Sequence, residues 1–453
     1  MTNPEEGPTN MRSKRAIGAV IAASLLVPAA ASAQYPEPKD PGKGPAARGK
    51  GRTLTVCKKG CRYRKIQRAV KAATGKDTIK VRRGRYREGL RIVGRRYDGL
   101  KLIGDSKRPG RVVLDGKGLR GAAAQNAVFV NSSDGVLVRG FHARRYKANC
   151  FFHANVVDYV LDRLVAERCG AYGIFAFNSK GGRMTNSEAY YNNDAGFYVG
   201  QTPPQRGKKR RTLVRNVEAW GNVLGFSGTN MRYVTITKSR WYNNGSGIVP
   251  NALDTEKYPP PQENVISNND VFWNNLNFYY GAPFEIPADS SAGFAFPIGV
   301  GILLFGSQDT VVEGNRISGH YLSGLGAVPA LQLAGHDDPD IAEAANLRNN
   351  TVRGNDFGPR GDLNGRDLVY DGSGTGNCFE GNTLRSPNVP GDNGTFAACP
   401  GPARNTPNPG ALAEALSWVT DGSKDDPVTF EKHWIKHPHP ARKGVKPLER
   451  FPG

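Results

Sequence analysis

The sequence predicts an all-β solenoid, a parallel β-helix of about ten coils, and three observations carry that expectation. A Gly-plus-apolar phrase recurs as GAYGIFAFNS at 170–179, NNDAGFYVGQ at 192–201, GNVLGFSGTN at 221–230, NNGSGIVPNA at 243–252 and GVGILLFGSQ at 299–308. A second phrase precedes several copies: NSEAYYNN from Asn186, NVEAWGNV from Asn216, KSRWYNNG from Lys238 and NDVFWNNL from Asn269. The Gly-to-Gly steps from 173 to 196 and from 225 to 247 are 23 and 22 residues. That period is too short for the helix pair of a tetratricopeptide or ankyrin repeat. Three strands of about 4–5 residues fill it, each pairing in parallel with its equivalent one coil later.

Composition fits the same picture, because 453 residues with 56 Gly, 31 Pro and only 38% hydrophobic residues suit many turns around a narrow core. The repeat resembles that of the right-handed parallel β-helix proteins, the pectate-lyase-like superfamily, over roughly residues 53–385. The resemblance implies a right-handed single-stranded β-helix. It leaves activity open, because that fold hosts lyases, hydrolases, esterases, epimerases, adhesins and proteins without chemistry.

Residues 1–33 read as a signal peptide: Arg12, Lys14 and Arg15 precede an apolar run at 17–31 and the small-residue site Ala31-Ser32-Ala33. The mature chain is expected to begin at Gln34 and to be secreted or held at the cell surface, with no apolar stretch long enough to span a membrane. Residues 34–52, rich in Pro, Gly and Lys, read as a flexible basic linker. The β-helix domain is assigned to 53–399, and 400–453 to a Pro-rich basic tail of poor order.

Within the domain, Leu54 and Val56 mark a strand, and Ile66, Ala69, Val70 and Ala73 recur at helical spacing. A helix there would plug the open end of the solenoid. The following Gly84-x-Tyr86-x-Glu88 resembles the opening of pectin methylesterases and of many secreted β-helices, and implies a cap without a catalytic role. Coils then run through KLIG, RVVLDG, AVFVNSS and GVLVRGF into the clear repeats and end at DLVYDG and NCFEGN. Insertions at 201–211, 251–262, 276–298 and about 329–345 interrupt the rhythm. Loops of this kind gather on one flank of a solenoid and wall a groove.

The six cysteines form three local pairs, Cys57 with Cys61, Cys150 with Cys169 and Cys378 with Cys399. In a solenoid only sequence neighbours meet in space, so these are the expected disulfides, Cys150–Cys169 bridging adjacent coils. No CxxC pair or His cluster accompanies them, so no metal and no cofactor is expected.

Charge is one-sided. Residues 43–111 hold 24 Lys and Arg against four acids, +20 of the chain's +22. Such a field attracts polyanions, and Arg82, Arg83, Arg85 and Arg87 are the expected polyanion-binding cluster. No base-reading motif is present, so sequence-specific nucleic-acid recognition is not expected.

Alternation places Phe152, Phe175, Phe177 and Tyr198 on an outward stripe of the strands that follow the repeat Gly, and Tyr190, Trp220, Tyr242 and Trp273 on a second ladder. Exposed aromatics suit the C–H faces of sugar rings, so these eight are the expected glycan-binding residues; the other reading is that a loop covers each ladder and the rings are ordinary core. Glu188 and Glu218, on adjacent coils with Arg240 next, are read as a surface charge ladder and as weak candidates for an acid/base pair. Asn186, Asn216, Asn315 and Asn382 read as turn residues that bond their stacked copies. Gln308-Asp309-Thr310 resembles an active-site tripeptide of pectin methylesterases. The family's second Asp segment and the Arg motif after it are missing here, so no catalytic role is assigned. The expected function is binding of an extracellular, anionic polysaccharide by a monomer, with a uronate-directed lyase, hydrolase or epimerase as the alternative; whether the chain is an enzyme stays open.

Overall fold

The computed structural model describes residues 35–276, 298–391 and 395–414, apart from 43, 47 and 48. The expected signal peptide, most of the third insertion and the tail beyond residue 414 lie outside the described residues.

The chain is a right-handed parallel β-helix whose three faces are three all-parallel sheets. In chain order within a coil, sheet I has ten strands from Leu90–Val93 to Leu368–Tyr370, sheet II has twelve from Thr53–Val56 to Cys378–Glu380, and sheet III has ten from Gly84–Tyr86 to Asp356–Phe357. Each coil repeats the register of the last. Ile174 lies beside Phe151 and Phe197, and Glu188 beside Val165 and Glu218.

Period-two alternation sends Ile174, Ala176, Phe197 and Ile248 into one continuous core that runs the length of the solenoid. Buried amides run beside that core. Asn192, Asn222 and Asn244 each donate Nδ2 to the Oδ1 of the next asparagine, ending at Asn274, at 2.9, 3.0 and 2.9 Å. Asn269, Asn315 and Asn355 do the same, ending at Asn382, at 3.0, 2.9 and 2.9 Å.

The expected turn asparagines divide between two jobs. Asn186 and Asn216 hold left-handed corners at φ 52° and 53°, whereas Asn315 and Asn382 sit one place later, inside the ladder. Gly314 and Gly381 take the left-handed place there, because a backbone without Cβ adopts it freely.

Both ends are closed. The helix Ile66–Ala72 buries Ile66, Ala69 and Val70, and its free N-terminal amides are satisfied by Glu88, whose carboxylate accepts from Ile66 N and Gln67 N at 3.0 Å each. At the far end Phe396 packs 5.0 Å from Phe379, and Asn405 Oδ1 accepts from Asn377 N at 3.0 Å. The start of the stretch assigned to a poorly ordered tail is therefore part of the closure. All three disulfides form, and Cys150–Cys169, with Cα atoms 5.7 Å apart, lies within the core.

Replacing Asn222 by Leu strands Asn192 N and Asn192 Nδ2 without their common acceptor. Urea unfolding should show a loss of about 2–4 kcal/mol, against less than about 1 kcal/mol for Asn216→Gly at an exposed corner.

Candidate functional site

The outward stripe of sheet I forms as the alternation requires. Phe152 and Phe175 stack with centroids 4.4 Å apart and planes 3° apart, Tyr198 follows edge-on at 4.8 Å, and the register ends the stripe at Ser227. The stripe is covered, though, and not open to solvent. Phe152, Phe175, Phe177 and Tyr198 are each 3% exposed or less, which corrects the expectation of an exposed aromatic face. Alternation distinguishes outward from inward, and three further pieces of chain lie over this face.

The first cover is the segment 35–42, which the sequence assigns to a flexible linker. Tyr35 sits 5.0 Å from Phe177 and 5.5 Å from Phe175. Lys39 N donates to Asn155 Oδ1 at 3.0 Å, Asn155 Nδ2 to Glu37 O at 3.1 Å, and Asn178 Nδ2 to Lys39 O at 2.6 Å. The second cover is Tyr172, whose ring lies 4.5 Å from that of Tyr198. The third is the insertion 251–262. Asn230 Nδ2 donates to Leu253 O and Glu256 O at 2.7 Å, and Gln201 Oε1 accepts from Lys257 N at 2.9 Å.

Asn155, Asn178, Gln201 and Asn230 occupy the same left-handed corner in successive coils, with φ of 55°, 48°, 48° and 49°. One row of corner amides thus holds both the leading segment and the loop.

The loop delivers Glu256 to the end of the stripe. Tyr198 donates its hydroxyl to Glu256 Oε1, while Oε2 is buried with no hydrogen-bond partner among the described residues. Burial first, then the charge of Asp194, pushes the Glu256 carboxyl up to about 8, against the opposing hydrogen bond from Tyr198. Burial likewise raises the hydroxyls of Tyr35, Tyr172 and Tyr198 above the usual tyrosine range. At neutral pH this is a protonated acid beside neutral phenols.

Next to it the insertions 201–211 and 251–262 wall a cleft of about 630 Å³, lined by Lys180, Arg206, Lys208, Arg210, Tyr258 and Asp40 with neighbouring prolines. Lys180 lies 3.6 Å from Asp40, and Arg210 2.5 Å from Asp158. Arg206 and Lys208 are exposed, and neither forms an ion pair with a described residue. Tyr258 stands two residues after Glu256, so one loop serves both the cleft and the buried acid.

The second ladder lies on sheet III, away from this cleft. Tyr190 stacks on Trp220 at 4.6 Å, and the register continues to Tyr242 and Phe272. Trp273 is displaced by one residue to a left-handed turn, where its Nε1 donates to Asp362 Oδ2 at 2.9 Å. Trp220, Tyr242 and Trp273 are 4% exposed or less and Tyr190 is half-buried, so this ladder too is largely covered.

Glu188 and Glu218 are adjacent in register but already engaged. Glu188 accepts from Trp220 Nε1 at 2.9 Å, and Glu218 binds Arg240 and accepts from Tyr242 Oη at 3.2 Å. Arg82, Arg83, Arg85 and Arg87 are exposed near the N-terminal end, Arg85 within 3.6 Å of Asp115. Asp309 is held by Gln262 Nε2 at 2.7 Å and Asn349 Nδ2 at 2.9 Å, a structural turn.

Sequence reasoning missed Glu256, Tyr172, Lys180 and Tyr35. The signal for Glu256 was its place in an insertion; the other three carry no local mark.

Similar chain paths occur in polysaccharide-processing enzymes. The A-module of the Azotobacter vinelandii mannuronan C-5 epimerase AlgE4 matches at 16% identity over 71% of this chain and 93% of that one, with a TM-score of 0.46. An alginate lyase from Paenibacillus matches at 15% identity over 69% and 97%, TM-score 0.44, and the pectate lyase Pel9A at 14% over 78% and 83%, TM-score 0.39. No protein-family model matches the chain, and no curated protein does.

Ionising Glu256 in place opposes its burial. The loop's docking is therefore at full strength below the ordinary carboxyl value of 4.5 and is lost as pH rises through about 8, by on the order of 4–5 kcal/mol. Amide exchange over 251–262, corrected for intrinsic rate, should rise between pH 5 and pH 9 in the wild type and stay level in Glu256→Gln.

Proposed function

We propose that the protein binds an anionic polysaccharide outside the cell, with the cleft between the two insertions as its principal contact. The observation that carries this reading is the pair Arg206 and Lys208, exposed on the rim of a 630 Å³ cleft and free of ion pairs with described residues. A cation without a carboxylate partner in a concave site is available to a ligand carboxylate or sulfate. Three disulfides agree with an oxidising compartment, and no helix among the described residues is long and apolar enough to cross a membrane. The named activities of the three similar structures all concern polysaccharides, a supporting circumstance for a glycan ligand.

The basic surface around Arg82, Arg83, Arg85 and Arg87 is proposed as a second, diffuse contact. Retention on immobilised polygalacturonate or alginate at low ionic strength tests both. Arg206→Ala with Lys208→Ala should lower affinity about tenfold or more, while neutralising the four arginines should mainly reduce salt-dependent retention. Unchanged retention in the first variant removes the cleft from the reading.

A second reading, catalysis on a uronate-containing glycan, is favoured by the protonated Glu256 bonded to Tyr198. A buried acid poised near neutral pH suits proton transfer. If that reading holds, incubation with polyuronates releases unsaturated, shortened or epimerised products, and Glu256→Gln and Tyr198→Phe each lower the rate by about 100-fold or more. Product formation at the wild-type rate in both variants removes it. Glu188→Gln with Glu218→Gln should leave both binding and turnover unchanged.

A further inference from the structure

The segment 35–42 does two things that a ligand of the cleft would also do. At one end its Tyr35 ring lies on the aromatic stripe, 5.0 Å from Phe177. At the other end Asp40 enters the basic cleft and sets a carboxylate 3.6 Å from Lys180. Between them Lys39 hydrogen-bonds through its backbone to Asn155 and Asn178. A flat ring on an aromatic platform followed by a carboxylate on a lysine is the pattern a chain of linked uronates presents.

We infer that this segment is a tethered competitor for the glycan: it occupies a single groove that runs from the stripe over Phe152, Phe175 and Phe177 into the cleft at Lys180, and an acidic glycan binds by displacing it. The inference rests on the cleft reading above and adds to it the extent of the groove and its regulation.

The segment is built to leave. Its attachments include one ring, the buried Pro41, three hydrogen bonds to two asparagines and one exposed ion pair, since the Asp40 side chain is 86% exposed. Such a pair contributes little in water. Pro36, Pro38 and Pro41 disfavour helix and keep the backbone extended, so little structure has to be unmade on release. Removal would uncover the part of the stripe under Tyr35, at Phe152, Phe175 and Phe177, as a surface of the kind that binds sugar rings, while Tyr172 and the loop stay over Tyr198. A groove filled by its own chain shows an apparent affinity reduced by the fraction of molecules in which the segment is away.

The test uses the full chain and titrates a defined oligogalacturonate, or oligomannuronate in parallel, into wild type, Tyr35→Ala with Asp40→Asn, and Arg206→Ala with Lys208→Ala, with circular dichroism to confirm that each is folded. Hydrogen exchange of the Lys39 amide is followed in the wild type with and without ligand.

The expected result is roughly tenfold tighter binding by the Tyr35/Asp40 variant, with faster exchange at Lys39 when wild type is saturated. Equal affinity in the two proteins and unchanged Lys39 exchange, with weaker binding only in the Arg206/Lys208 variant, overturn the competitor and leave the cleft reading standing. Absence of binding by both the wild type and the Tyr35/Asp40 variant overturns both. The exchange measurement needs no substitution, so it decides the point even if the double variant is unstable.

Discussion

Five successive coils, at Ser132, Asn155, Asn178, Gln201 and Asn230, turn the corner at the end of sheet I through the same left-handed backbone, and that turn is the constraint on which the covered face depends. An L-residue there is strained unless its side chain repays the conformation locally, which Asn does best. Asn155, Asn178 and Asn230, with Gln201 between them, meet this requirement. Their amides are also placed on the outside, where they hold first the segment 35–42 and then the loop 251–262. A backbone necessity thereby becomes the fastening for two of the three covers of the aromatic stripe, the segment 35–42 and the loop 251–262.

The same geometry explains how the buried acid arises. A stack in parallel register supplies flat, apolar surface in unlimited amount, since each rung repeats the last. It does not by itself supply an acid in an apolar surrounding. That comes from an insertion folded back across the rungs, which carries Glu256 against Tyr198, near Asp194, and leaves one carboxyl oxygen without a partner among the described residues. Chemistry and recognition are thus properties of the departures from the repeat, and the rungs are the ruler against which those departures are positioned.

Much of the rung structure was legible in the residues. The recurrent Gly marks the entry to sheet I, the helical spacing of Ile66, Ala69 and Val70 marks the plug, and the local cysteine pairs are the bridges that form. Counting from the turn phrase placed Tyr190, Trp220 and Tyr242 on one ladder but put Trp273 where Phe272 belongs. The Asn taken as the start in that coil is the ladder Asn269, one residue beyond the left-handed Asn268. Whether the ladders are covered was a choice the residues could not decide. Period two says which side of a sheet a ring leaves from, and whether a distant segment then lies on it is a long-range fact. The Pro-rich composition of 34–52 pointed to a linker because its attachments use backbone groups and a single ring. Glu256 was hidden for the related reason that its environment is assembled from three separate parts of the chain.

The capping helix carries an implication for the order of assembly. With seven residues it is far too short to persist alone in water, and the carboxylate that satisfies its first amides arrives 22 residues later in the chain, on Glu88. The seal at the N-terminal end therefore cannot precede the first rung: it closes only once that rung has come round. Growth of the stack and protection of its exposed end become a single cooperative event. The edge most prone to unwanted strand pairing is open only while there is little sheet behind it.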